Sequence, residues 1–294
     1  MAISRYCSKL VLPHAQPPYP DLVDFLADYF PHVSAQEWAR RIADGKVLDK
    51  HEQPLDRHGY QPQQVIYYYR EVAEQPVIPF AENILYQDDA LLVACKPHFL
   101  PVHPGGRYVT ENLVYRLRQA TGNDQLVPVH RIDRFTAGLV LFAQRADDRA
   151  CYNALFSQGQ VKKRYDAVAH CNSEPQQCHW QVANRIVQGD PWFCWQVVAG
   201  DVNARSYIDL LNYRDGYGLF SLQPITGKTH QLRLHMSGLG FGLVNDRYYP
   251  ELLPEQPDDF SAPLQLLAKE IAFTDPVTGK NHHFESPRTL EKAF

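Results

Sequence analysis

Between residues 179 and 285 the sequence reads as three successive hairpins, and no other feature constrains the fold as much. Strand-like runs at 179–187 and 192–198 flank Gln188-Gly189-Asp190-Pro191. Runs at 204–213 and 217–223 flank Arg214-Asp215-Gly216, where Asp-Gly signals a tight two-residue turn. A third pair brackets the turn in "KEIAFTDPVTGKNHHFES". Strands joined by such short turns run antiparallel. Upstream, "DDALLVACKP" reads as a buried strand, "TENLVYRLRQATG" as a helix capped by Thr110, and "DDRACYNALFSQG" as a helix closed by Gly159. Helices and hairpins without a regular βαβ rhythm predict an α+β fold with a central mixed, largely antiparallel sheet and flanking helices.

Residues 1–78 read as a separate small α+β module. A helix from Asp21 to Phe30 precedes a second helix opened by a Ser34/Glu37 capping box, with Trp38 and Ile42 on its apolar face and Gly45 at its end. A short strand from Gly45-Lys46-Val47 and the β-prone Val65–Tyr69 complete it. Pro76 and Pro79 mark the link, so the expected domains are 1–78 and 79–294.

Composition narrows the class. The 294 residues are 45% hydrophobic and 21% charged, an ordinary globular balance. The N-terminus carries no signal-peptide core and no run is apolar enough to span a bilayer, so the expected address is the cytoplasm, with no membrane partner. Six thinly spread cysteines fit reduced thiols. His170, Cys171, Cys178 and His179 lie together in sequence, but their spacing matches no common zinc finger and they read as strand ends; no metal is expected. Net charge is 29 − 33 = −4, which disfavours a protein that coats nucleic acid non-specifically. Residues 128–166 are the basic exception, with 7 cations against 4 acids.

Inside that basic stretch, "VPVHRIDRFTAGLVLFA" sets Asp133 between Arg131 and Arg134, directly before an apolar run. A carboxylate so flanked is expected to stay ionised, which suits a nucleophile or charge stabiliser; ordering a loop through arginine pairing is the competing reading. "GQVKKRYDAV" puts Lys163 and Tyr165 on one face of a strand, an ammonium for phosphate and a ring for a base. In "LQPITGKTHQLRLHMSGLG" a strand ends at Pro224-Ile225, Thr226-Gly227-Lys228 turn, and Thr229 is expected to cap a helix with Leu232, Met236 and Leu239 on its apolar face. Free turn N–H groups and Lys228 would seat a phosphate, while His230 and Arg233 share the opposite face, Arg233 directed at Asp133.

Taken together, "HRIDRFTAGL", "KKRYDAV", "ARSYIDLL", "PITGKTHQLRLHMSGLG" with "NDRYY", and "LLVACKPHFLPVHPGG" resemble the ordered motifs of the RluA-type pseudouridine synthases over about residues 84 to 290. The N-terminal module resembles an S4 RNA-binding domain through "VSAQEWARRIADGKV". The resemblance implies the pseudouridine synthase fold and a cofactor-free, monomeric enzyme converting uridine to pseudouridine in structured RNA, ribosomal or transfer, within a basic cleft. It implies Asp133 as catalytic aspartate, Tyr165 as active-site tyrosine and Arg233 as the arginine pairing with the aspartate. His130, Arg131, Arg134, Thr136, Lys163, Gly227, Lys228, Thr229 and His230 fall on substrate contacts. Phe135 and Ala137 depart from the pattern, where a polar residue or proline and a serine are common. Residues 31–60 balance 5 basic against 5 acidic residues, a weak charge for an RNA grip. Two other readings stand beside this one: a nucleoside or glycoside hydrolase, which needs a second carboxylate, and a non-catalytic RNA-binding protein.

Overall fold

A computed structural model describes residues 2–14 and 19–291. They divide into two compact units: the described residues up to Pro76 together with Gly106–Thr110, and Val77–Gly105 with the described residues from Glu111 onward.

In the first unit β1 (Ala2–Val11), α1 (Leu22–Tyr29), α2 (Ala35–Ala43), β2 (Val47–Leu48) and β3 (Val65–Val72) place two helices on a three-stranded antiparallel sheet ordered β1-β3-β2. Phe25, Leu26, Trp38 and Ile42 bury against Ile66 and Tyr68. β1 escaped the sequence reading because Ile3 and Val11 point outward while Ser4 points in, so no apolar alternation marks it. Only half of the expected capping box forms. The Ser34 hydroxyl accepts from the Glu37 N–H, but the Glu37 carboxylate is held by Arg40 and Arg41, which depress its pKa to about 2. Thr110 is not a helix cap either. Its backbone N–H and that of Val109 donate to the Gln75 side chain, whose amide donates back to the Thr110 hydroxyl. The cap of α3 (Leu113–Thr121) is Asn112, which accepts from the Tyr115 N–H.

The second unit contains β4 (Asn83–Gln87), β5 (Leu91–Lys96), α3, β6 (Val127–Pro128), β7 (Ala137–Ala143), α4 (Arg149–Ser157), β8 (Lys162–His170), β9 (His179–Gln188), β10 (Trp195–Val198), β11 (Ala204–Arg214), β12 (Tyr217–Pro224), α5 (Gln231–Gly238), β13 (Leu266–Thr274) and β14 (Asn281–Glu285). Its eleven strands form one sheet ordered β10-β9-β11-β12-β8-β13-β7-β5-β4, with β14 on β13 and β6 on β7. The three expected hairpins are β9–β10, β11–β12 and β13–β14, and the Asp215-Gly216 turn has both residues at positive φ, 51° and 80°. Only β7 and β13 run parallel, with Leu267 beside Ala137 and Ala268 beside Gly138. Gly138 makes that junction possible. Its φ is 114°, and a Cβ there would stand 2.2 Å from the Ala268 carbonyl oxygen. The fully buried β7 packs Leu139 and Leu141 with Leu91 and Val93 against Tyr152 and Leu155 of α4. Each such side chain contributes roughly 1.5–3 kcal/mol. The junction also brings the loop entering β7 beside β8 and the end of β12.

Candidate active site

Asp133 sits in a tight turn between β6 and β7, its carbonyl accepting from the Thr136 N–H at 3.2 Å. The turn is anchored from below by Lys96, the last residue of β5, which is fully buried. Its Nζ donates to the carbonyls of Pro97 (2.9 Å), Leu100 (2.7 Å) and Arg134 (3.0 Å), one acceptor for each ammonium proton. Burial drives this amine well below its ordinary range, and the charge of Asp133 pulls it back. The sequence reading gave Lys96 no role. A lysine closing an otherwise wholly apolar strand was the signal available.

The carboxylate is not clasped by its sequence neighbours. Arg134 turns to Asp258 at 2.6 and 3.2 Å and lies over the Phe135 ring, while Arg131 is exposed on the rim. Residues next to each other in a turn splay apart, so adjacency of charge does not become contact. The groups facing Asp133 come from the opposite wall: Arg233 Nη1 at 3.7 Å and His230 Nε2 at 3.8 Å.

Arg233 is 1% exposed, so α5 buries its polar face as well as its apolar one. Its fork grips Asp246, Nε to Oδ2 at 2.8 Å and Nη2 to Oδ1 at 2.5 Å. Asp246 also accepts the N–H groups of Tyr248 and Tyr249. Nη1 is left buried without a hydrogen-bond partner, facing Asp133. The reading of "NDRYY" had given Asp246 no role.

His230, not Thr229, occupies the cap position of α5, in a left-handed conformation with φ 56° and no side-chain cap bond. The Tyr249 hydroxyl accepts from the Trp195 N–H and lies 2.8 Å from His230 Nδ1. The other ring nitrogen, Nε2, is the atom facing Asp133. Burial pushes the His230 pKa down, against the pull of Asp133. The helix start is tied by Gln231, whose Oε1 accepts from the Lys228 N–H (3.0 Å) and the Thr226 hydroxyl (2.7 Å). The Lys228 amide is thus occupied, and of the groups expected to seat a phosphate there the exposed Lys228 ammonium is left. At Gly227 a Cβ would meet only Lys163 Nζ, at 3.9 Å, so a ligand can approach the backbone closely.

Lys163 and Tyr165 share the inward face of β8, as their spacing predicted. Lys163 donates to the Thr226 carbonyl at 3.3 Å, and burial lowers its pKa. Burial, aided by the charge of Asp133, raises that of Tyr165, which stays a protonated phenol. His130 supports the loop: its ring stacks on Phe156, Nε2 accepts from the Leu141 N–H at 3.0 Å, and burial depresses its pKa to about 3.

Asp133, Arg131, Thr136, Lys163, Tyr165, Gly227, Lys228, Thr229, His230 and Arg233 line one cavity of about 120 Å³. It continues into a groove of about 770 Å³ past His130, Asn153 and Ser157. Arg134 lies outside both. Much of the basic excess is paired, Arg145 with Asp148 and Arg164 with Asp166 and Glu270, leaving Arg131, Lys163 and Lys228 along the cleft. Away from it, Cys171 is buried, Cys178 exposed, and His179 pairs with Asp209.

The family model for RNA pseudouridylate synthase matches residues 90–238. The dual-specificity RNA pseudouridine synthase RluA of Pasteurella multocida is 32% identical over 222 residues, 72% of this chain and 95% of that one. An uncharacterized RNA pseudouridine synthase of Synechocystis is 26% identical over 230 residues, covering 78% and 79%. The solved structure of human RNA pseudouridylate synthase domain containing 4 aligns with a TM-score of 0.54 at 26% identity, over 70% of this chain and 88% of that one. This chain belongs to the RNA pseudouridylate synthase family. It is an isomerase that turns uridine into pseudouridine in RNA.

Proposed function

We propose that the chain isomerises one specific uridine in structured RNA, ribosomal RNA before transfer RNA, with Asp133 as the reacting carboxylate. The carrying observation is that Asp133 is the one acid among the described residues lining the cavity, facing Arg233 Nη1 and His230 Nε2. The reaction breaks C1′–N1, turns the uracil, joins C5 to C1′ and moves one proton from C5 to N1, with no net redox change or hydrolysis. One ionised carboxylate suffices, as nucleophile at C1′ or as base at C2′. A glycoside hydrolase would pair it with a second carboxyl as acid.

Because the reacting atoms lie inside a stack, the uridine is flipped into the cavity, its base against the Tyr165 phenol. Lys163, Lys228 and Arg131 hold phosphates along the groove. In this reading Arg233 and His230 act on Asp133 from the far wall, and His130 and Lys96 hold its loop. Residues 1–78 serve as an S4-like module that adds a modest RNA grip, and the enzyme works as a monomer in the cytoplasm. The test is incubation with unmodified ribosomal and transfer RNA transcripts, followed by carbodiimide-dependent primer-extension stops. One new stop in ribosomal RNA, lost with Asp133→Asn, is expected. Stops confined to transfer RNA would reassign the target, and none in either would refute the proposal.

A further inference from the structure

Behind Arg233 the wall of the cleft opens on its other side into a second cavity, of about 370 Å³. Tyr248 is the partition. The Arg233 guanidinium lies 4.8 Å from its ring centre and the His230 ring 5.6 Å away, while on the other side Phe135 meets it edge-on at 5.8 Å and Phe193 at 5.5 Å. Phe193 and its neighbour Trp192, in the β9–β10 connection, are 37% and 75% exposed, and Leu252 and Leu253 on the facing rim are 41% and 49% exposed. Apolar side chains exposed singly are ordinary; gathered around one cavity beside a catalytic cleft, they mark a binding surface.

The charges agree with an RNA occupant. Arg247 donates to the carbonyls of Pro254, Gln256 and Pro257, and no carboxylate among the described residues lies within ion-pair distance of it; Glu255 is the one acid on the lining. Arg134, held by Asp258, lays its guanidinium over the Phe135 ring at 4.0 Å, presenting a flat stacking surface.

We propose that the cavity receives the base of the nucleotide adjoining the target uridine, splayed out of the RNA and stacked against Phe193 and Tyr248, with Arg247 toward its phosphate. This rests on the reading of the Asp133 cleft given above. Flipping one nucleotide unstacks its neighbour, whose exposed face then needs cover. Tyr248 touches Arg233 of the first cavity and lines the second with Phe135 and Phe193, so the two cavities adjoin.

The test uses the full chain and two short single-stranded oligoribonucleotides with one central uridine, carrying 2-aminopurine on its 5′ or its 3′ side. Saturation should change the emission of one probe and not the other. Phe193→Ala, at a partly exposed site, should abolish that change and weaken binding of that probe about 10-fold, within the range of one stacked base. Arg247→Ala should weaken both probes severalfold. Absence of binding, no emission change for either probe, or a Phe193→Ala variant matching the parent in emission and affinity would overturn the proposal. Pseudouridine formation in ribosomal and transfer RNA transcripts is scored separately. A parent that makes none yet keeps the Phe193-dependent signal refutes the Asp133 reading alone, whereas an active parent without the signal refutes the cavity alone.

Discussion

The loop carrying Asp133 and the helix carrying Arg233 face each other across one cavity, yet they hold their charges in different ways. On the loop side the Asp133 carboxylate makes no hydrogen bond to a side chain of its own wall, and its turn is held from below by Lys96 and, through the Phe135 carbonyl, by His98 at 2.7 Å. On the helix side Arg233 is fixed by two bonds to a carboxylate as buried as itself. In the proposed reading the first wall supports a group that must remain free to react, and the second locks a group that must not move. Substitutions on the two sides should therefore fail differently, one losing chemistry and the other losing structure first.

The largest effect expected is from Asp133→Asn, which should lower the saturating rate by at least about 10²–10⁴-fold while urea midpoints stay near those of the parent. A matching loss of stability would show that the carboxylate also holds its wall. Arg233→Ala should do the reverse in emphasis: it strands the buried Asp246 charge, with a stability loss of about 3–5 kcal/mol by chemical denaturation in addition to lost activity. Pairing Arg233→Met with Asp246→Asn should recover much of the stability and none of the rate. Recovery of both would mean that the arginine is only a strut.

The histidines supporting the walls should make stability depend on pH. Burial holds His130 at about 3 and His98 and His235 at about 4, below their unfolded value of roughly 6.5. All three are neutral in the folded chain and take up protons on unfolding. Their contribution is thus complete above pH ~6.5 and is lost as pH falls toward the folded values, at up to about 1.4 kcal/mol per pH unit for each. Denaturation at pH 7.5, 6 and 5 measures the slope, and His130→Gln should reduce it by about one proton. The smallest effect belongs to Lys228→Ala. RNA affinity should drop severalfold and the slope of log affinity against log salt should flatten by about 1, with saturating turnover unchanged. A large fall in turnover would move Lys228 from holding phosphate to acting in the reaction.

The sequence was most legible where the signal is local. Period-two runs and the Asp215-Gly216 turn announced the hairpins, and the i, i+2 spacing of Lys163 and Tyr165 placed both on the cleft face of β8. It misled where a local pattern was assumed to close on itself. Thr110 and Thr229 looked like caps, but Gln75 occupies the first and Gln231 organises the turn before the second; Arg131 and Arg134 looked like partners of Asp133, but Arg134 turns to Asp258 and Arg131 lies exposed on the cavity rim. By itself, then, the sequence determined an antiparallel-rich α+β chain, its helix and hairpin positions, and the residue types that meet at the cleft, because backbone preference and side-chain period act over a few neighbouring residues. Tertiary structure decided the charge pairs that the sequence did not announce, since the sequence had directed Arg233 at Asp133 but not at Asp246. Asp133 reaches Arg233, Arg233 reaches Asp246 and Lys96 reaches the Arg134 carbonyl only once Gly138 admits β13 beside β7, since hydrogen bonds and ion pairs act over a few ångströms and the residues that make them are far apart along the chain.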